Sequence, residues 1–148
     1  MKVKVITLTC MLAGMAVQAQ DKLLQGQWEV KQVTVEKNTD GKIDTTVYNT
    51  VAEVKELMRF PQMLEVKDAK TILLHYPGVN QEVAAEYRLN GDKLRIDEGP
   101  LGYSYLVEIK DGNLILTNID TYISKPFGGQ MENITKKLTI VLQQKQTK

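Results

Sequence analysis

Few side chains in this chain are equipped for covalent or metal chemistry. Among its 148 residues there is one histidine, His75, and one cysteine, Cys10. A zinc site built on histidines needs more than one, and a Ser-His-Asp triad needs its serine on a sharp, exposed turn. The serines, Ser104 and Ser124, lie instead in a strand-like YSY and a loop-like ISKP. Asp97 and Glu98 precede Gly99-Pro100 and could pass for an acid–base pair. Adjacent strand residues face opposite sides of a sheet, so these carboxylates would not converge on one substrate. Asn38-x-Asp40-Gly41-x-x-Asp44 lacks the spacing and the closing glutamate of an EF-hand loop. His75 fits a strand residue with a satisfied hydrogen bond, or a ligand contact at a strand end. The inventory points away from an enzyme and implies no catalytic residue, metal or cofactor.

Aromatic lining is better supplied. Val83, Ala85, Tyr87 and Leu89 share one face of a strand, with Glu86 and Arg88 opposite. Tyr103, Tyr105, Val107 and Ile109 share a face of another, with Ser104 and Glu108 opposite. Tyr87, Tyr103 and Tyr105 are therefore expected to point inward. Tyrosine brings apolar area plus one hydroxyl, which suits an amphipathic ligand and equally suits plain core packing. Lys136 falls by parity among Ile134, Leu138, Ile140 and Leu142, so it is a candidate interior cation.

The elements that must position these residues are short. Apolar-alternating runs recur about every ten residues between turn signals, the pattern of an antiparallel all-β sandwich or barrel. The runs fall at 27–37, 42–48, 63–68, 70–76, 82–89, 93–98, 102–110, 113–120 and 131–143. In the first, Trp28 and Val30 share one parity while Val33 and Val35 share the other, which predicts a bulge near Gln32. Asp40-Gly41, Asn90-Gly91-Asp92 and Asp111-Gly112 read as tight hairpin turns. Thr50 and Glu53 have capping-box spacing, Val51, Val54, Leu57 and Met58 lie on one helical face, and Pro61 follows. One short helix is expected over 50–59.

The N-terminus carries an address. Lys2 and Lys4 precede an apolar stretch from Val5 to Val17, and Val17-Gln18-Ala19 has small residues where signal peptidase reads. Residues 1–19 are expected to be a secretory signal, leaving 20–148 as one domain in the periplasm or outside the cell, without a transmembrane segment. Cleavage removes two lysines and no acid, so the formal net charge of +1 becomes −1. No basic excess then remains to attract nucleic acid. Cys10 leaves with the signal, so no disulfide staples the core.

The mature N-terminus reads Leu23-Leu24-Gln25-Gly26-Gln27-Trp28-Glu29-Val30. Gly26-x-Trp28 at the start of a first strand, in an all-β chain of this length, resembles the lipocalin signature, and the chain is similar in pattern to small secreted bacterial lipocalin-like domains. The resemblance implies an antiparallel up-and-down barrel of about eight to nine strands with one short helix, and Gly26 and Trp28 as its structural signature. It also implies a basic side chain packed over the tryptophan. No arginine follows Arg95, so Lys136 is the candidate for that place, or else for meeting an acidic ligand group in the lumen; a bulge near Thr135 would instead turn it to solvent. Two functional readings follow. One is a binding protein for a small hydrophobic or amphipathic molecule held by Tyr87, Tyr103, Tyr105 and Lys136. The other is a filled barrel that makes a protein contact through the loop at 124–129, where Phe127 stands among polar and turn residues.

Overall fold

Among the described residues, alternating sequence and tight turns produce nine strands and almost no helix. The computed structural model describes residues 24–54 and 60–145. Its strands are β1 (Gly26–Thr39), β2 (Lys42–Tyr48), β3 (Met63–Val66), β4 (Thr71–His75), β5 (Glu82–Asn90), β6 (Lys93–Glu98), β7 (Leu101–Lys110), β8 (Asn113–Ser124) and β9 (Glu132–Gln144). They occupy the nine runs expected from the alternation. The expected signal at 1–19 lies outside the described residues. So does half of the segment expected as a helix: within 50–54 the chain makes only a 3-10 turn, Val51–Glu53, and Thr50 provides no side-chain cap. Val51 and Val54 are nonetheless buried, so the apolar spacing marked a segment that packs on the barrel without winding into an α-helix there.

All pairings are antiparallel, and the sheet closes on itself. From β3 each strand pairs with the next as far as β9, and β9 returns to β1. With β3 against the first part of β1, eight strands form a closed barrel, leaving β2 as the ninth. β1 divides one of its edges between two partners: Gly26–Glu29 pair with Met63–Val66, and Val33–Thr39 pair with Lys42–Tyr48. Along its other edge β1 follows β9 from Trp28 to Thr39, with a register shift between Val30 and Gln32. This is the expected bulge, and it moves the inward face from even to odd positions.

The turn chemistry fixes the registers. Asp40 and Gly41 both have positive φ, 48° and 91°, the type I′ geometry whose twist matches a hairpin and which glycine adopts without strain. Asp111-Gly112 repeats it. Two-residue turns leave no slack, so Thr39 faces Lys42 and Lys110 faces Asn113.

The interior is apolar throughout. Val33, Leu64, Ile72, Leu74, Leu114, Leu116, Ile140 and Leu142 are fully buried. Each such side chain contributes roughly 1.5–3 kcal/mol by leaving water. Trp28 closes the lower end of the barrel. It faces Leu64 on β3 and Gln144 on β9, and its indole N–H donates to the Leu24 carbonyl at 2.8 Å. Gly26 beside it has φ +112°, and a Cβ there would come within 3.0 Å of the Gln144 amide nitrogen, so the position accepts little else.

Trp28→Ala empties the largest side chain from this end and orphans the Leu24 carbonyl. It is expected to cost ~3–5 kcal/mol in chemical denaturation. The wild-type protein, whose fluorescence reports on this one indole, should emit at short wavelength and shift red on unfolding. Water-like emission from the native state would contradict the closed end.

Candidate functional site: the barrel mouth and the protruding arm

Three places gather the side chains of interest. The first is the upper mouth of the barrel. Phe60, Pro61, Leu74, Tyr76, Ile96, Tyr103 and Tyr105 surround a gap of about 10 Å³. That is room for about one water molecule. Phe60 meets Tyr105 edge to face, with ring centroids 5.9 Å apart and planes at 83°. Tyr105 is buried, and burial, with a lesser contribution from neighbouring Tyr103, raises its hydroxyl far above the usual tyrosine value, so it stays a neutral donor. Tyr103 is half-buried. Tyr76, which the alternation did not single out, donates its hydroxyl to the Glu98 carboxylate.

Tyr87 points inward as expected but stands apart from this group. Its hydroxyl donates to the Asp68 carbonyl at 2.8 Å, in the turn between β3 and β4 at the opposite end. That turn is further fixed by the Asp68 carboxylate, which accepts from the backbone N–H groups of Lys70 and Thr71, both at 2.8 Å. These two backbone bonds hold its carboxyl below the ordinary aspartate range. Tyr87 is thus a strut for the lower turn.

The second place is an arm. β1 and β9 run on past the barrel wall with β2 on one side and the far half of β8 on the other. Lys136 lies here. It pairs with Lys37 on β1 and Asp120 on β8, and Lys37 pairs in turn with Asp44 on β2. A row therefore crosses the arm's inner face as Asp44, Lys37, Lys136, Asp120, two bases between two acids. The parity assigned to Lys136 holds, and no register shift occurs at Thr135. Its height differs from expectation: Trp28 is opposite Gln144, eight residues along β9, so Lys136 does not cover the indole. At about 3.3 Å per residue the two lie some 26 Å apart along the strand.

The third place is on the outer wall. His75 Nε2 lies 3.7 Å from Glu65 Oε2, and Nδ1 lies 3.8 Å from Glu82 Oε1. Nε2 is buried without a hydrogen bond. One histidine nitrogen and the two carboxylates fall within 4.8 Å of one another. The chemistry of this set does not favour a metal. It supplies a single imidazole, and Lys67 already occupies Glu65, its hydrogen bond holding that carboxyl below its usual value. A wider depression of about 420 Å³ lies open on the outside, lined by Thr71, Ala84, Glu86, Asp97 and Gly99. Its Glu86 and Asp97 face each other across the β5–β6 ladder, and Arg95 bonds Asp97.

Asp97 and Glu98 serve different faces, as the alternation implied: one meets Arg95 outside, the other Tyr76. No family model, curated protein or solved structure matches this chain.

The Asp68 turn gives a test with a definite sign. A carboxyl whose folded pKa is depressed stabilises the fold above its unfolded pKa, ~3.9, and loses that contribution as pH falls through the folded value. Asp68→Asn should therefore be less stable than wild type near neutrality, and the two should converge in acid. Urea midpoints measured across this range check it; a constant gap would mean the charge contributes nothing.

Proposed function

We propose that this chain is an exported, non-enzymatic interaction module: a filled lipocalin-like barrel that holds out a β-arm as its working surface. The observation that carries the reading is the contrast between interior and arm. Small-molecule sites in proteins occupy roughly 300–1,000 Å³, and the gap at the upper mouth offers about 10 Å³. Most of the exposed large apolar side chains among the described residues lie on the arm: Ile43 and Val47 on β2, Ile119, Tyr122 and Ile123 on β8, and Phe127 and Met131 in the loop between β8 and β9, against Val79, Leu101, Leu106 and Ile109 elsewhere. Phe127 is completely exposed. Apolar groups held in water at one end of a domain are the usual mark of a contact surface.

Export to the periplasm or beyond is the reading that the Lys2–Ala19 pattern supports. Gly26-x-Trp28 and the closed meander support the lipocalin-like assignment. A second reading, a small amphipathic ligand at the mouth, is favoured by one feature: Tyr76, Tyr103 and Tyr105 ring the gap beneath Phe60. Lys136 would not touch such a ligand, and Tyr87 has its hydroxyl committed to Asp68.

Native mass spectrometry of the protein exported by its own cells separates the two. The expected result is polypeptide mass alone, with an N-terminus at or near Gln20. A retained non-peptide mass would overturn the filled-barrel reading, and an intact Met1 would overturn export.

A further inference from the structure

We propose that β2 is a pairing edge for a second copy of this chain, so that two arms join antiparallel about a two-fold axis through Thr45. The inference rests on the arm being the working surface and specifies what the arm binds.

β2 stands at the end of the sheet order, with β1 on one side and, among the described residues, no strand on the other. Which of its backbone groups face outward follows from the turn. A two-residue type I′ hairpin makes its flanking residues, Thr39 and Lys42, a pair that exchanges both hydrogen bonds. Bonding pairs then alternate, so Lys42, Asp44, Thr46 and Tyr48 bond to β1. Ile43, Thr45 and Val47 turn their N–H and C=O groups to the open side. Their side chains share the outer face, where Ile43 is 65% and Val47 53% exposed.

Such an edge is a template for another strand unless its side chains forbid it. Natural edges are defended by charge, and β2 carries two charges, Lys42 and Asp44, on its inner face. A second copy of β2 sets neither against a like charge. With Thr45 on the axis, Ile43 meets Val47 of the other copy, Asp44 meets Thr46, and Lys42 meets Tyr48. No like charges face one another, and the apolar pair recurs on both sides of the axis. The two neighbouring registers that also keep the bonding pattern are poorer. Shifting one way sets Asp44 against Asp44; shifting the other leaves Ile43 without its apolar partner. The strand is self-complementary in the one register that uses its whole length. A two-fold contact of this kind closes as a dimer, and the joined arms would form one sheet running β8-β9-β1-β2 into its symmetry copy.

The test is self-association of the full chain, expressed with its own leader, by light scattering after size exclusion at micromolar and higher concentrations. A mass of twice the single chain is expected. Thr45→Pro removes an outward donor and no bond to β1, and edge strands tolerate proline; it should weaken association by at least about tenfold. The charge pair tests the register. Ile43→Lys with Val47→Lys sets lysine against lysine twice and should give monomer. Ile43→Glu with Val47→Lys sets glutamate against lysine twice and should keep the dimer. Trp28 emission confirms folding in each case, and if Thr45→Pro does not fold, the charge variants decide. A monomeric wild type overturns the proposal, as does a dimer indifferent to these changes. Open-ended assemblies overturn it too, since they would mean β2 pairs with the other free edge, the far half of β8. A retained small molecule in a protein that still dimerises this way would overturn only the filled-barrel reading. A ligand-free monomer would overturn only the dimer.

Discussion

Everything in this protein depends on β1 reaching β9. Eight strands become a barrel only when the first and last exchange hydrogen bonds, and that pairing runs from Trp28 to Thr39 on one side and from Ile134 to Gln144 on the other. Once it forms, eight strands have neighbours on both sides within the barrel wall, and the apolar faces of all eight turn toward one another. Without it the same strands would be an open sheet with two long unpaired edges, a form prone to adding foreign strands. The closure is long-range, joining residues about a hundred positions apart, so it must form against a large loop entropy and is supported by many short-range hairpins laid down between.

Closure is imperfect in one respect, and the imperfection makes the arm. β1 is longer than β3, so its upper half outlasts its barrel neighbour and is taken up by β2. β8 likewise outlasts β7, pairing with it only through Thr117. The core is filled by leucine, isoleucine and valine to the height where these overlaps end. Just above Val35 and Leu138 the inward positions are charged, with Lys37, Lys136 and Asp120 in one row, and beyond that row Ile134 is buried again. In the described residues the barrel's inward positions are mostly apolar and packed, while β1, β2, β8 and β9 project beyond it.

Most of the architecture was legible because each strand obeys its own period of two and each hairpin its own turn. The bulge at Gln32 could be read because it breaks that period. Parity tells which face a residue takes and nothing about its height in the barrel. Lys136 was therefore given the correct face and set beside the wrong neighbours: its position relative to Trp28 is fixed by the β1–β9 register, which depends on every intervening hairpin. The cluster of His75 with Glu65 and Glu82 was invisible for the same reason, as its members come from three strands. The arm left a trace that could have been used. Lys37, Asp120 and Lys136 are charges at inward parity, and charged residues on a core-facing register mark where a strand outruns its core. Within 50–54 the helical spacing of apolar residues marks a 3-10 turn, with Val51 in it and Val54 just after it buried.

The bulge in β1 works as a steering joint. It adds a residue to β1 that β9 does not match, so the halves of β1 count on separate frames: Trp28 and Val30 inward, then Val33 and Val35 inward. Losing one residue at Lys31 would restore strict alternation without moving any of these four to the other face. Such a deletion would spare the core pattern and remove the local bend and extra twist that a bulge imposes. Where the arm points is therefore separable from whether the barrel folds. A deletion at this joint would re-aim the projecting strands while the barrel below kept its packing.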